Sequence, residues 1–293
     1  MSTLFTGISE LRTVSERGTL NDAAIIAQSG TIAWVGPASE APAADEKVDL
    51  GGRAVLPGWV DSHTHMVFDG DRSAEFEARI SGGSYEAGGI AVTMDATRQA
   101  GTDRLDKLVA DRVAAGRRGG TTTFETKTGY GLNTESEVEA AKVASRHVDD
   151  VTFLGAHLVP PGADAEEYLD EVVGPMLEGV APYVQWIDVF CERGAFNEEQ
   201  SRRVLEAGKK LGLGLRVHGN QLGEGPGVAL AVELGAASVD HVNHLTDEDV
   251  ELLANSDTVA TMLPACDLST REPLAPGRTL LDAGATLAIA SNL

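Results

Sequence analysis

The run LPGWVDSHTH, residues 56–65, opens apolar and closes on two histidines, and seven further runs repeat that form along the chain. They are TTTFETKTGYG (121–131), VTFLGAHLV (151–159), WIDVFCE (186–192), LGLRVHGNQ (213–221), SVDHVNH (238–244), TVATMLP (258–264) and TLAIASN (286–292). Between several of them lie Ala-, Glu- and Arg-rich stretches, such as TMDATRQAGTDRLDKLVADRVAAGRRG and TESEVEAAKVASRHV, whose composition reads as helix. Strand alternating with helix is the pattern of parallel α/β architecture. The count selects the form: eight strands over residues 57–293 fit a (β/α)8 TIM-like barrel of roughly 250 residues, whereas a doubly wound sheet more often shows about five to seven.

The runs are also one-sided in their chemistry. Their ends carry His63 and His65, Glu125 and Lys127, His157, Glu192, His218 and Gln221, His241 and His244, and Asn292, while His147 falls in a stretch that reads as helix. Barrel enzymes build their sites at the C-terminal ends of the strands, so this repetition predicts a catalytic face.

Upstream, residues 3–56 read as short extended segments, LFTGISELRTV, AAIIAQ, TIAWVG and AVLP, separated by the turn signals RGTLND, SG and GG. We therefore expect a small β-sandwich segment at residues 1–56, with SEAPAADEK (39–47) as a loop, ahead of the barrel at 57–293. The 23 Lys and Arg against 45 Asp and Glu give a net charge of −22, which disfavours nucleic-acid and anionic-membrane partners. Cys191 and Cys266 stand alone with no CxxC spacing, which fits a reducing cytoplasm rather than a disulfide framework. No secretory leader and no apolar run of roughly 18 residues is apparent.

On a strand, alternate residues share a face, so His63 and His65 point together into the barrel mouth and can hold one ion. A third strand-end imidazole is available in His218. Three imidazoles with an open position suit a hydrolytic Zn or Fe centre. The bland alternative is a set of histidines that only hydrogen-bond in a core.

These residues carry a resemblance. A β-rich start followed by LPGWVDSHTH resembles the amidohydrolase superfamily, and THMVFDGDR, KTGYGLNTESE, TFLGAHLVPP, DVFCE, VHGNQL and MLPAC together resemble the imidazolonepropionase family. The resemblance implies His63 and His65 as strand 1 metal ligands, His218 as the strand 5 ligand, and Asn292 at the strand 8 ligand position. It also implies Arg72, Tyr130 and His157 as substrate contacts, Gln221 against the substrate ring, and His241 beside the reacting carbonyl. An Arg suits the substrate's propionate through a charge-assisted bond. Asp61 and Asp240 are the expected carboxylate partners of ligand imidazoles. Where related deaminases carry a proton-shuttling Glu, this chain has Gln221, and WIDVFCE offers no Lys to bridge a second metal. The implied activity is hydrolysis of the cyclic amide of 4-imidazolone-5-propanoate to N-formimidoyl-L-glutamate in histidine degradation, by one Zn or Fe ion. The implied partner is a small-molecule substrate, with a homodimer as the assembly to test. The competing readings are another hydrolase or aminoheterocycle deaminase of the superfamily, and a metal-binding homologue with compromised catalysis.

The chain departs from the family pattern at its end. It reads AIASNL where an Asp and a short Asn-Pro-Gly loop are expected. An amide at 292 supplies neither an anionic ligand nor a proton acceptor, so slow turnover is expected. The expectation is also that the C-terminal part of both the barrel and the β segment is missing.

Overall fold

A computed structural model describes residues 1–71, 73, 77 and 90–293. Arg72, singled out above for the propionate, lies outside the described residues. The chain divides into two compact units, Met1–Trp59 and Val60–Leu293.

The first unit is a four-stranded sheet in the order β3-β2-β1-β4, formed by β1 (Ser2–Arg12), β2 (Thr19–Gln28), β3 (Thr31–Pro37) and β4 (Glu46–Val55). β1 pairs antiparallel with β2 and parallel with β4. Ile8, Leu11 and Ala23 are its buried apolar centre. β4 corrects the sequence reading: it begins at Glu46, inside the expected loop, and runs through Gly51 and Gly52, which had read as a turn. Both glycines take positive φ, +64° and +79°, so a strand interrupted by an irregular register replaces two separate segments.

The second unit is the expected barrel. Eight strands follow in sequence order around one sheet: β5 (Trp59–Asp61), β6 (Thr121–Lys127), β7 (Asp150–Ala156), β8 (Trp186–Cys191), β9 (Gly214–Gly219), β10 (Ser238–His241), β11 (Val259–Met262) and β12 (Leu287–Ile289). The strand pairs from β6 to β12 are parallel. The ring is joined between its first and last strands beyond their formal ends. Ser291 donates its backbone N–H and its hydroxyl to Asp61, the Asn292 N–H donates to His63 O at 3.0 Å, and the His65 N–H donates to Leu293 O at 2.7 Å.

Helices fill the connections. The long stretch after residue 92 is broken at Gly101 (φ +69°) into Ile90–Ala100 and Thr102–Arg118. His147 lies in the turn after helix Thr134–Ala144, not within it. The apolar core is the seam between strands and helices, with Phe153, Leu169, Ile187, Val217, Leu205 and Val239 fully buried.

The barrel interior is different. Side chains of one strand parity point inward, and here many of them are ionic. Glu125, Lys127, Asp188, Arg216 and Asp240 are all buried. Lys127 Nζ lies 3.0 Å from Glu125, 3.0 Å from Asp188 and 3.7 Å from Asp240, and Arg216 lies 3.1 Å from Glu125. Such a layer adds little net stability, but removing a partner in close contact with Lys127 or Arg216 leaves a buried charge less compensated.

Candidate active site and metal centre

The imidazoles lie at the C-terminal ends of the strands, above the ionic layer. His63, His65, His218 and His241 are buried, at 0%, 6%, 3% and 2% exposure. His63 Nε2 and His65 Nε2 are 3.3 Å apart, and His218 Nε2 lies 3.4 Å from His65 Nε2. A tetrahedral ion with metal–nitrogen bonds of about 2.0–2.1 Å separates its ligands by about 3.3–3.4 Å, so these spacings fit a shared cation. His63, His218 and His241 also offer ring nitrogens within 4.8 Å of one another, which adds His241 to the set of possible ligands.

Carboxylates from the layer below orient two of these rings. His63 Nδ1 donates to Asp240 Oδ2 at 2.7 Å, and His218 Nδ1 lies 3.0 Å from Asp188 Oδ2. The first contact fixes the His63 tautomer and leaves its Nε2 for a ligand, and the second turns the Nδ1 side of His218 toward a carboxylate. Asp188 Oδ1 also accepts the His218 backbone N–H at 3.2 Å. Of the two carboxylates expected in this role, Asp240 is in place. Asp61 instead bonds Ser291, at the closure of the ring, and Asp188 stands in the role that the sequence reading missed.

Burial pushes the pKa of His63, His65 and His241 well below the ordinary histidine value, so all three are neutral at physiological pH. For Asp188 burial acts to raise the pKa, but His218 and Lys127 outweigh it and hold the carboxyl low. Burial likewise works against the Lys127 charge, and Glu125, Asp188 and Asp240 together reverse that effect and raise its pKa.

Asn292 takes φ +58° and its Oδ1 is buried with no hydrogen-bond partner among the described residues. An orphaned buried acceptor on the residue whose backbone N–H bonds His63 O is a second observation that fits a cation here. β10 ends in strain: His241 and Val242 adopt φ of +81° and +50°, conformations costly for residues other than glycine.

Tyr130 and His157 form the wall beside His65. The His157 ring stacks on that of His65 at 5.6 Å, and Tyr130 meets both edge-on at 5.8 and 5.5 Å. His157 Nδ1 donates to Gly129 O at 2.9 Å. The Gly129–Leu132 loop is held by the buried carboxylate of Glu137, which accepts from the N–H groups of Gly129, Gly131 and Leu132 at 2.8, 2.8 and 2.9 Å. Gln221 is placed in the same way by Glu192 Oε2, which accepts its backbone N–H at 3.0 Å. Sequence reasoning missed Glu137. Its available signal was its place in the first turn of a helix capped by Asn133, where an acid can reach back to loop amides.

No protein-family profile matches the chain. Curated relatives do. The chain is 64% identical to the imidazolonepropionase of Arthrobacter sp. (strain FB24), over 100% of its own length and 76% of that protein. It is 64% identical to that of Saccharopolyspora erythraea, over 99% and 75%, and 52% identical to that of Streptomyces coelicolor, over 99% and 77%. Among solved structures it resembles a triazine hydrolase from Arthrobacter aurescens, with TM-score 0.70 and 17% identity over 99% of this chain and 71% of that one. It also resembles guanine deaminase from C. acetobutylicum, with TM-score 0.70 and 14% identity over 100% and 75%. An atrazine chlorohydrolase from A. aurescens TC1 complexed with zinc gives TM-score 0.66 and 18% identity over 99% and 71%. At these identities the structures speak for the fold alone.

Proposed function

Because the chain belongs to the imidazolonepropionase family, we propose that its barrel mouth is the site where the cyclic amide of 4-imidazolone-5-propanoate is hydrolysed to N-formimidoyl-L-glutamate, the ring-opening step in histidine degradation. The enzyme is a hydrolase of carbon–nitrogen bonds acting on a small molecule. The observation that carries the site is the convergence of His63, His65 and His218 at 3.3 and 3.4 Å, with Asp240 and Asp188 behind two of them.

The residues divide the work as follows. His63, His65 and His218 would hold one Zn or Fe ion, with the amide oxygen of Asn292 as a neutral fourth donor. When bound, that ion supplies Lewis acidity at the substrate carbonyl. Gln221, Tyr130 and His157 orient the flat ring, and Arg72 grips the propionate. His241 is held neutral by burial, so one of its ring nitrogens is unprotonated and can accept a proton. Because the amide at 292 cannot accept one, we assign proton transfer to His241: it takes the proton of the attacking water and returns it to the ring nitrogen as the carbon–nitrogen bond breaks. Two buried cysteines, neither in a disulfide, support a reducing cytoplasmic setting, and no helix among the described residues is long and apolar enough to cross a membrane.

Metal content and turnover of imidazolone propionate, measured together on the chain and on His63→Ala, test this reading. We expect about one equivalent of Zn or Fe in the parent, and loss of both metal and turnover in the variant. Retained metal in His63→Ala overturns the ligand set.

A further inference from the structure

A second group of ligand-type atoms converges where β10 and β11 end, and the hydrolytic reading uses only one of its members. A ring nitrogen of His241, the Sγ of Cys266 and a carboxylate oxygen of Asp267 lie within 4.8 Å of one another. All three residues are buried, at 2%, 8% and 1% exposure. Cys266 and Asp267 begin the helix Pro264–Thr270, and Cys266 packs with Leu263 and Ala290, so the backbone under the two side chains is fixed. Cys266 is in no disulfide.

Two of the polar atoms are unaccounted for. Asp267 Oδ2 and His241 Nδ1 are buried with no hydrogen-bond partner among the described residues. Leaving such a group buried and unsatisfied is costly. The three residues stand within ligand reach of one another and two of them each keep an unsatisfied buried atom, an arrangement that one further atom among them would satisfy.

The donor set indicates which atom. Mg and Ca prefer oxygen ligands at six or more positions, whereas nitrogen, thiolate and one carboxylate in a small buried space suit a borderline or soft divalent ion. A thiolate and a carboxylate also balance a charge of +2. We propose that His241, Cys266 and Asp267 form a second cation site, distinct from that of His63, His65 and His218, which takes Zn or Cd and inhibits hydrolysis when filled. Inhibition follows because a ring nitrogen committed to a cation makes the imidazole a poor proton acceptor. That half of the inference rests on the proton-carrying role proposed for His241, while the binding half does not.

The test is titration of the metal-loaded enzyme with Cd²⁺ alone, reading stoichiometry, the ultraviolet thiolate-to-metal charge-transfer band, and turnover. The expected result is a second equivalent that brings in the charge-transfer band as turnover is lost. Cd²⁺ exchanging into the first site produces no such band, because that site holds no sulfur. Cys266→Ser and Asp267→Asn should each keep basal turnover and the first equivalent, and lose the second equivalent together with inhibition. Cys191 is the only other cysteine, so a band that persists in Cys266→Ser assigns the metal elsewhere and overturns the site. A single equivalent with no band in the parent enzyme also overturns it, and leaves water as the atom in the gap. Should Cys266→Ser fail to fold, the band in the parent and the Asp267→Asn titration still decide the binding. A second equivalent with the band and undiminished turnover overturns the inhibitory half and removes His241 from proton transfer.

Discussion

Asp240→Asn separates the charge behind a metal ligand from the geometry that aims it. His63 Nδ1 lies 2.7 Å from Asp240 Oδ2, and an amide oxygen in the same place still accepts its proton, so the ring keeps its direction and loses only its negative neighbour. The buried Lys127 is little affected, since its two contacts at 3.0 Å, to Glu125 and Asp188, remain and only the one at 3.7 Å is weakened. Replacing such a partner typically costs 10–100-fold in metal affinity, or about 1.4–2.8 kcal/mol. We therefore expect the metal dissociation constant, measured by chelator competition, to rise by about that factor with little change in thermal midpoint. Asp188→Asn should match it in affinity but also lose stability, because it removes a carboxylate 3.0 Å from Lys127 that also accepts the His218 backbone N–H. If Asp240→Asn holds its metal within about threefold of the parent, the carboxylate does not tune the ligand and the reasoning fails.

Three further outcomes can be measured. The pKa values of His63, His65 and His241 are depressed by burial, so the unfolded chain binds more protons once the pH falls below the ordinary histidine value. Metal-free protein should accordingly lose stability from about pH 6.5 downward, by up to about 1.4 kcal/mol per pH unit for each imidazole, and a flat denaturation midpoint between about pH 7.5 and 5.5 would contradict this. Gly129→Ala would place a Cβ 2.5 Å from Leu154 O at a backbone φ of +105°, shifting the backbone of residue 129 whose carbonyl His157 bonds; we expect KM to rise about tenfold with a smaller fall in kcat, and an unchanged KM would remove this loop from substrate binding. Asn292→Asp should slow metal loss to a chelator while changing turnover little, because His241 already carries the proton; a rise of about 10²-fold or more would give that role to position 292.

The barrel was legible because each strand announces itself twice, by an apolar start and a polar end. Lys127 and Glu125 were visible at such an end and Asp240 as an imidazole partner, but the ionic layer they form with Asp188 and Arg216 was not. Its members come from strands far apart in sequence, and inside its run Asp188 looks like an interruption of an apolar segment. Their signal is parity: an acid at an inward position of a strand next to a ligand-bearing strand has no solvent to face. Asp61 was misassigned for the same reason, since its partner Ser291 comes beside it only when the ring closes. The turn signal at Gly51 and Gly52 misled because positive φ serves an irregular strand as readily as a chain reversal.

The bonds between the ends of the first and last strands bear on when this site can exist. Asp61 and Ser291 are 230 positions apart, and the amide of Asn292 is tied to the carbonyl of His63 itself. During synthesis the first two ligand histidines leave the ribosome long before the segment that anchors them, and contacts of such separation are among the last a chain can make. A nascent barrel has His63 and His65 without the neighbour that sets their backbone. On the ligand set proposed above, metal uptake should follow the docking of the final strand rather than precede it.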